Sequence, residues 1–408
     1  MTDRTQVAHL LRRLTFGPTA AEVDAAGKAG FDATVERLLK PVAVPSPPDI
    51  GDEPAAGETR EQRQANRKTQ REQVTALGKW WLGRMAAGGA ASGEKLTFFW
   101  HGHWATSAQK VRSAHLMLAQ QQTFRRYGTG DTSPLVRAML RDPALILWLD
   151  GQKNTRKAPN ENLAREVMEL FTLGVGAYGE ADVKAGARVL TGWSIDRAAG
   201  TAKLVAKRHD PGQVTLLGQT GVFDLDAYAD LLVRHEAHVP FIARRLWARY
   251  AGSDLPPPSV AAAGRNTTAL LRAVVRAPEF AATNGLLVKQ PIEWVMGAVR
   301  QLGIPAKGTE GYLKSLGQVP LRPPSVGGWP AGAAWLTTSS TLTRLKAGQK
   351  LAAQYQGDAL SGADRVEALA NLLVVDGWSD RTAAVLKDVK EPRKLLALGL
   401  ASPEYAVH

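Results

Sequence analysis

PNENLAREVMELFTLG, running from Pro159 to Gly174, carries the clearest helical signal in the chain. Leu163, Val167, Leu170 and Phe171 recur at about 100° per residue and define a core-facing stripe. Asn160 can cap the first turn, Glu161 suits its positive end, and Gly174 can stop the helix. Glu161 and Arg165 form an i,i+4 pair. Asn162, Glu166 and Glu169 share the flank beside the stripe, which places two carboxylates at the edge of an apolar surface.

Helical spacing continues on both sides. Upstream, Val7, Leu10, Leu11 and Leu14 predict a helix that breaks at Phe16-Gly17-Pro18, with Thr19 capping a broadly helical stretch to Leu39. Pro41 to Gly57 has five prolines and reads as a mobile loop. Thr59 to Gln73 is polar all round and then meets Val74, Leu77, Trp80, Trp81 and Met85, predicting a long helix with a solvated first half. Downstream, helices are expected at about 181–191, 224–236, 238–250, 259–276, 288–302, 341–355, 363–374 and 379–387. Lys203–Lys207 and Gln213–Leu217 alternate and are bounded by Gly, which predicts one β-hairpin around 201–221. The fold class expected is mainly α, a large bundle-like multi-helix fold with that small hairpin. The spans are an N-terminal helical segment at 1–40, a linker and solvated helix start at 41–75, a helical core at 76–345, and C-terminal helices at 346–408. A Gly/Pro-rich stretch at 317–338 is too long for an ordinary connection, which marks it as functional or disordered.

Composition narrows the chemistry. The chain has 408 residues and no cysteine, which removes thiolate ligands, disulfides and cysteine nucleophiles. The formal charge is +13, from 51 Lys+Arg against 38 Asp+Glu, but it is spread out. Its densest group, Arg60, Arg63, Arg67, Lys68 and Arg71, is partly offset by Glu58, Glu61 and Glu72, so anionic surfaces or substrates are favoured over nucleic acid. No run suits a membrane span and no secretory h-region stands at the start, so a cytoplasmic location is expected. No P-loop, dinucleotide fingerprint or Gly-x-Ser-x-Gly elbow occurs.

Three polar motifs remain as candidate chemistry. Glu166 and Glu169 at i,i+3 suit a metal or a general base, although a solvated helix face has the same spacing. Trp100-His101-Gly102-His103-Trp104 offers two imidazoles, which converge only in an extended segment and diverge by about 200° on a helix. His209-Asp210-Pro211-Gly212 is a turn with a His-Asp pair, and an Asx turn explains Asp210 by itself.

These pieces, taken in order, resemble the bacterial family known as domain of unknown function 1800. The matching segments are His9 to Arg13 with Phe16-Gly17, Lys95 to Ser107 with Lys110-Val111, and Asp142-Pro143 with Trp148 to Asp150. They continue through Pro159 to Gly176, Tyr178, Leu190 to Trp193, His209-Asp210, Lys289 with Pro291, and Pro323-Pro324 to Gly328-Trp329. Gly102 and Trp104 depart from the Asn and Phe common in that family. The resemblance implies a helix-rich fold and gathers the polar motifs toward one shared site; it carries no reaction.

The leading expectation is a metal-assisted hydrolase or related enzyme. His101, His103, Glu166, Glu169, His209 and Asp210 are its candidate ligands for a divalent ion, and Glu166, Glu169 and His209 its candidate catalytic groups. Asn160, Glu161, Asn162, Arg165, Lys110 and Trp193 are candidate binding residues for a small-molecule or glycan substrate, with Arg188 a further positive charge. The alternatives are a non-catalytic helical binding or assembly protein with a protein partner, and a helical haem binder. The enzyme reading requires His103, Glu166 and His209 to meet at one solvent-reachable point.

Overall fold

A computed structural model describes residues 3–55, 57–252 and 255–408. Met1 and Thr2 of the N-terminal span, Ala56 of the Pro-rich span, and Ser253 and Asp254 of the central span lie outside the described residues. Helices dominate from Asp3 to Ala406, as the periodicity predicts.

Local chemistry sets many of the boundaries. Thr19 accepts from Glu22 N while Glu22 reaches back to Thr19 N, a reciprocal cap; Thr59 and Gln62 repeat it at the start of the Arg60–Ala86 helix. That helix is exposed through its first half and buries Gln73, Val74, Leu77, Trp81, Leu82 and Met85 in its second. Asp142 caps the Pro143–Trp148 helix, whose first residue is the proline that position favours.

The Pro-rich strip, read as a mobile loop, is largely exposed and touches the body of the protein at a few points. Glu53 accepts from Ser113 Oγ at 2.7 Å and lies 3.0 Å from His115 Nδ1, and Pro45 O accepts from Gln122. The β content is small, as expected, but forms two ribbons. Trp193–Asp196 pairs antiparallel with Thr201–Leu204, and Val214–Leu216 with Gln219–Gly221. The two runs read as partners therefore belong to different hairpins, because the turn at 205–213 holds a short 3₁₀ helix, Ala206–Arg208. The 259–276 helix is also broken, into Pro258–Ala261 and Thr267–Arg276, with Asn266 capping the second.

Two apolar clusters fill the interior. One joins the first three helices to residues 135–280; the other joins the second half of the Arg60–Ala86 helix to the C-terminal helices. The Ala91–His103 helix contributes to both, with Leu96, Phe99 and Trp100 in the first and Phe98 in the second. Its two faces thus look into different interiors, and this decides the fate of the two histidines near its end.

Candidate functional site

The Pro159–Gly174 segment is helical, but not in one register. An α-turn at Asn162–Glu166 passes into a π-helix at Val167–Thr172. Thr172 Oγ1 donates to Val167 O at 2.6 Å, and the amides of Leu173 and Gly174 both reach Met168 O. A π-turn is rarely stable alone and needs partners for the carbonyls it leaves at its end. Two histidines supply them. His103 Nε2 lies 2.9 Å from Phe171 O, and His238 Nδ1 lies 2.9 Å from Thr172 O.

Those contacts fix the tautomers. A carbonyl only accepts, so His103 carries its proton on Nε2 and leaves an Nδ1 lone pair, which Arg245 Nε approaches at 3.4 Å. His238 is protonated on Nδ1, and its Nε2 accepts from Thr132 Oγ1 at 2.9 Å. Burial, with Arg245 as the next cause, lowers the His103 pKa to about 3; burial lowers His238 to about 4. Both stay neutral in ordinary buffers.

His101 faces the other way. It is fully buried between Trp81 and Trp329, each 5.4 Å away centroid to centroid, with Phe98 beyond, and neither ring nitrogen has a hydrogen-bond partner among the described residues. Burial alone lowers its pKa to about 3. The Ala91–His103 helix is continuous through Gly102, so the histidines diverge.

Beside the π-turn a groove opens in two lobes that share His103, Arg245 and Gly327. One lobe, about 310 Å³, runs along Glu169, Leu173, Gly174, Phe241, Arg244 and Val326. The other, about 140 Å³, lies over Phe98 and Phe99 and is walled by Trp329, Arg249 and Gln290. Gly174 permits the first lobe: its φ is +85°, and a Cβ there would stand 2.9 Å from the Phe241 ring. Gly328 permits the second. With φ at +86°, it comes so close to Gly102 that a Cβ would sit 2.4 Å from the Gly102 carbonyl oxygen. The long Gly/Pro-rich stretch therefore forms a groove wall.

Charge in the groove is unevenly satisfied. Glu169 accepts from Tyr178 OH at 2.8 Å. Burial first, then repulsion from Glu169, raises the pKa of Glu166, and Arg165 opposes this. Arg244 and Arg245 meet no carboxylate among the described residues. Arg245 is reached by solvent yet stands deep between the walls, and that crowding lowers its pKa.

The other candidates sit elsewhere or are spent on structure. His209 Nδ1 lies 3.0 Å from Thr191 O, and Asp210 takes both the Asx-turn bond from Gly212 N and an ion pair with Arg188 at 2.7 Å. Neither lines the groove. Lys110 pairs with Asp150 at 2.7 Å, Arg165 with Glu161 and Glu180, and Trp193 is buried. Asn160 accepts from Asn162 N, and Asn162 Nδ2 donates to Leu149 O. Of the expected trio His103, Glu166 and His209, His103 alone lines the groove; Glu169 joins it there, and Glu166 lines neither lobe. Among the described residues, no group of three or more His, Asp and Glu is arranged to hold a metal ion. No described helix is long and apolar enough to cross a membrane.

Arg244, Arg245, Arg249 and His238 were missed as site residues. They had a signal: on the His238–Tyr250 helix, Ile242, Leu246, Trp247 and Tyr250 take the core stripe, leaving Arg245, Ala248 and Arg249 on one outward flank at i, i+3, i+4.

No curated protein and no solved structure matches the chain. The match that exists agrees with the order of the motifs along the sequence: it spans residues 9–407, and the chain belongs to the family described as protein of unknown function, DUF1800.

Proposed function

We propose that the groove beside the π-turn is an acid–base site for a small anionic ligand with a flat apolar face, of which a sugar acid is the simplest example. The observation that carries this reading is the meeting of two unpaired arginines, Arg244 and Arg245, with Glu169 in one open cleft. Guanidinium groups bind carboxylates through paired, charge-assisted hydrogen bonds. Phe98, Phe99 and Trp329 give the second lobe an apolar lining, with Phe98 stacked on Trp329 and Phe99 on His103. Glu169, which accepts from Tyr178 OH, is the carboxyl group of the cleft that exchanges a proton with the ligand, and Glu166 on the same flank, its pKa raised by burial and then by Glu169, adds to the charge there. His103 acts through Arg245 as a positioning residue, since Phe171 O occupies its other nitrogen.

A scaffold-only reading would have Glu166 and Glu169 each paired with arginine and no cavity beside them. Instead Glu169 takes a tyrosine and borders a cleft. A divalent ion shared by His101, His103, Glu166, Glu169, His209 and Asp210 has less support, since His101 and His103 face apart and His209 packs on the Thr191 turn.

Titration calorimetry with glucuronate, digalacturonate and glucose tests the proposal. Both acids should bind, glucose should not, and Arg245→Gln should weaken the acids at least ~10-fold while leaving the fold intact. Acid binding indifferent to Arg245→Gln, or no acid binding at all, sinks it. A rise of several degrees in Tm with Zn²⁺, Mn²⁺ or Ca²⁺, abolished by Glu169→Gln, would favour the metal instead.

A further inference from the structure

A second cleft, about 230 Å³, sits where the solvated half of the Arg60–Ala86 helix meets residues 108–112 and the Gly/Pro-rich stretch. Its walls hold four arginines, Arg67, Arg71, Arg112 and Arg322, with Gln70 and Gln109 as the remaining polar side chains. It shares no residue with the groove.

Two observations set this cleft apart from ordinary basic surface. The first is its pairing. Some arginines elsewhere are matched, as in Arg141 with Asp226, Arg165 with Glu180, and Arg272 with Glu36, whereas here four line a single cleft. None of these four is paired with a carboxylate among the described residues. Like charges four apart on a helix, as Arg67 and Arg71 are, cost stability rather than add it. The second is backbone strain. Arg112 has φ +54° and Leu321, next to Arg322, has φ +67°, a region that non-glycine residues enter at a cost. The wall is pinned there: Ala108 N donates to Leu321 O at 2.8 Å, and Leu321 is fully buried. Strain is thus held at two neighbouring points that present Arg112 and Arg322 to the same cleft.

We propose that the four-arginine cleft binds an oligoanion carrying two or more linked phosphate groups. Four guanidinium groups supply far more donors than one carboxylate accepts, and phosphate oxygens suit their forked geometry. The volume is several times the ~30 Å³ share of a water molecule, enough for linked phosphates but not for a folded partner. Arginine stays charged at all working pH values, so occupancy responds to ionic strength and changes with pH only through the charge of the phosphates.

Calorimetry with tripolyphosphate, orthophosphate and a duplex DNA oligonucleotide tests this. Tripolyphosphate should bind one to one and at least ~10-fold tighter than orthophosphate, and should weaken by roughly tenfold or more between 50 and 200 mM salt. The R71Q/R112G double variant should lose at least ~10-fold in affinity. Its folding is safeguarded because glycine relieves the left-handed strain at position 112, and its Tm should equal or exceed that of the parent. Glucuronate binding in the groove should be unchanged in this variant, which separates failure here from failure there. Absent tripolyphosphate binding, or binding unaffected by R71Q/R112G, overturns the proposal. Duplex DNA bound more tightly than tripolyphosphate through the same residues overturns it in favour of nucleic acid.

Discussion

Glu293 and Glu169 lie on opposite sides of the arginines of the His238–Tyr250 helix, and their surroundings could hardly differ more. Glu293 is sealed. Lys95 Nζ is 2.8 Å from it and Arg249 Nη1 2.9 Å, and the amide of Gln290 donates to its other oxygen. Lys95 spends its remaining donors on the carbonyls of Arg12 and Thr15, so the knot ties the first helix to the Ala91–His103 and Pro291–Leu302 helices. Burial pulls Lys95 down to about 7 while Glu293 opposes it, and the surrounding cations hold Glu293 well below the usual carboxylate range. Glu169, by contrast, borders an open cleft whose Arg244 and Arg245 meet no carboxylate among the described residues. The motifs contain both kinds of charge: Lys95 and Lys289 are buried, while Glu169 borders a cleft and Glu166 is partly exposed. Residue type alone does not separate them.

Breaking the sealed region should have the largest effect. Glu293→Gln keeps the shape but leaves Arg249 a buried cation with no counter-charge and strips Lys95 of the partner that holds its proton. Removing one partner of a buried pair costs about 3–5 kcal/mol. Urea unfolding should show a loss of that order, and the groove variant Arg245→Gln, tested beside it, should lose less than ~1 kcal/mol. Equal losses in the two would erase the distinction drawn between the regions.

Much of the fold was legible because it rests on local chemistry. The cap at Thr19, the stripe of Leu163, Val167 and Phe171, and the half-solvated helix all follow from neighbours within a few residues. The candidate site was legible only in part. The i,i+3 spacing put Glu166 and Glu169 on one flank, and the Gly/Pro-rich stretch announced itself by length. The π-register did not show, since its end depends on His103 and His238, 68 and 66 residues from the carbonyls they hold. The unpaired state of Arg244 and Arg245 did not show either. Whether a cation lacks a partner is a property of the packed chain, and the sequence holds enough acids to match most of them.

The two histidines of one motif give the next contrast. His101 is caged by rings with both nitrogens unsatisfied, whereas His103 spends Nε2 on the π-turn. His101→Phe removes two unpartnered buried polar atoms and should stabilise by ~1 kcal/mol at pH 7.5, while His103→Phe orphans the Phe171 carbonyl and should destabilise by ~1–3 kcal/mol. The pH dependence sharpens this. A folded pKa of about 3 against 6.5 unfolded means that the unfolded chain binds the proton first. Stability linked to His101 is therefore undiminished above pH 6.5 and falls progressively as pH drops toward 3, because the unfolded chain takes up the proton. By pH 5 the advantage of His101→Phe over the parent should have grown by about 2 kcal/mol. A constant difference between pH 7.5 and 5 would mean that His101 is solvated or partnered.

The smallest effect belongs to Glu166, and its sign matters more than its size. A raised carboxyl pKa means that the folded state holds the proton more firmly than the unfolded chain. The stabilisation is fully present below the unfolded pKa of about 4.3 and is lost as pH rises through the folded value. At neutral pH the ionised Glu166 therefore costs the fold a little, through burial and through repulsion from Glu169. Glu166→Gln should raise Tm by about 1 °C at pH 7 and leave it unchanged at pH 4, with the half-buried position keeping the effect to ~0.5 kcal/mol or less. A carboxylate kept for structure would show the opposite, a loss at neutral pH on neutralisation. Stability that improves when a charge is removed is the mark of a group retained for something other than stability. A fall in Tm at pH 7 would move Glu166 to the same side of the comparison as Glu293.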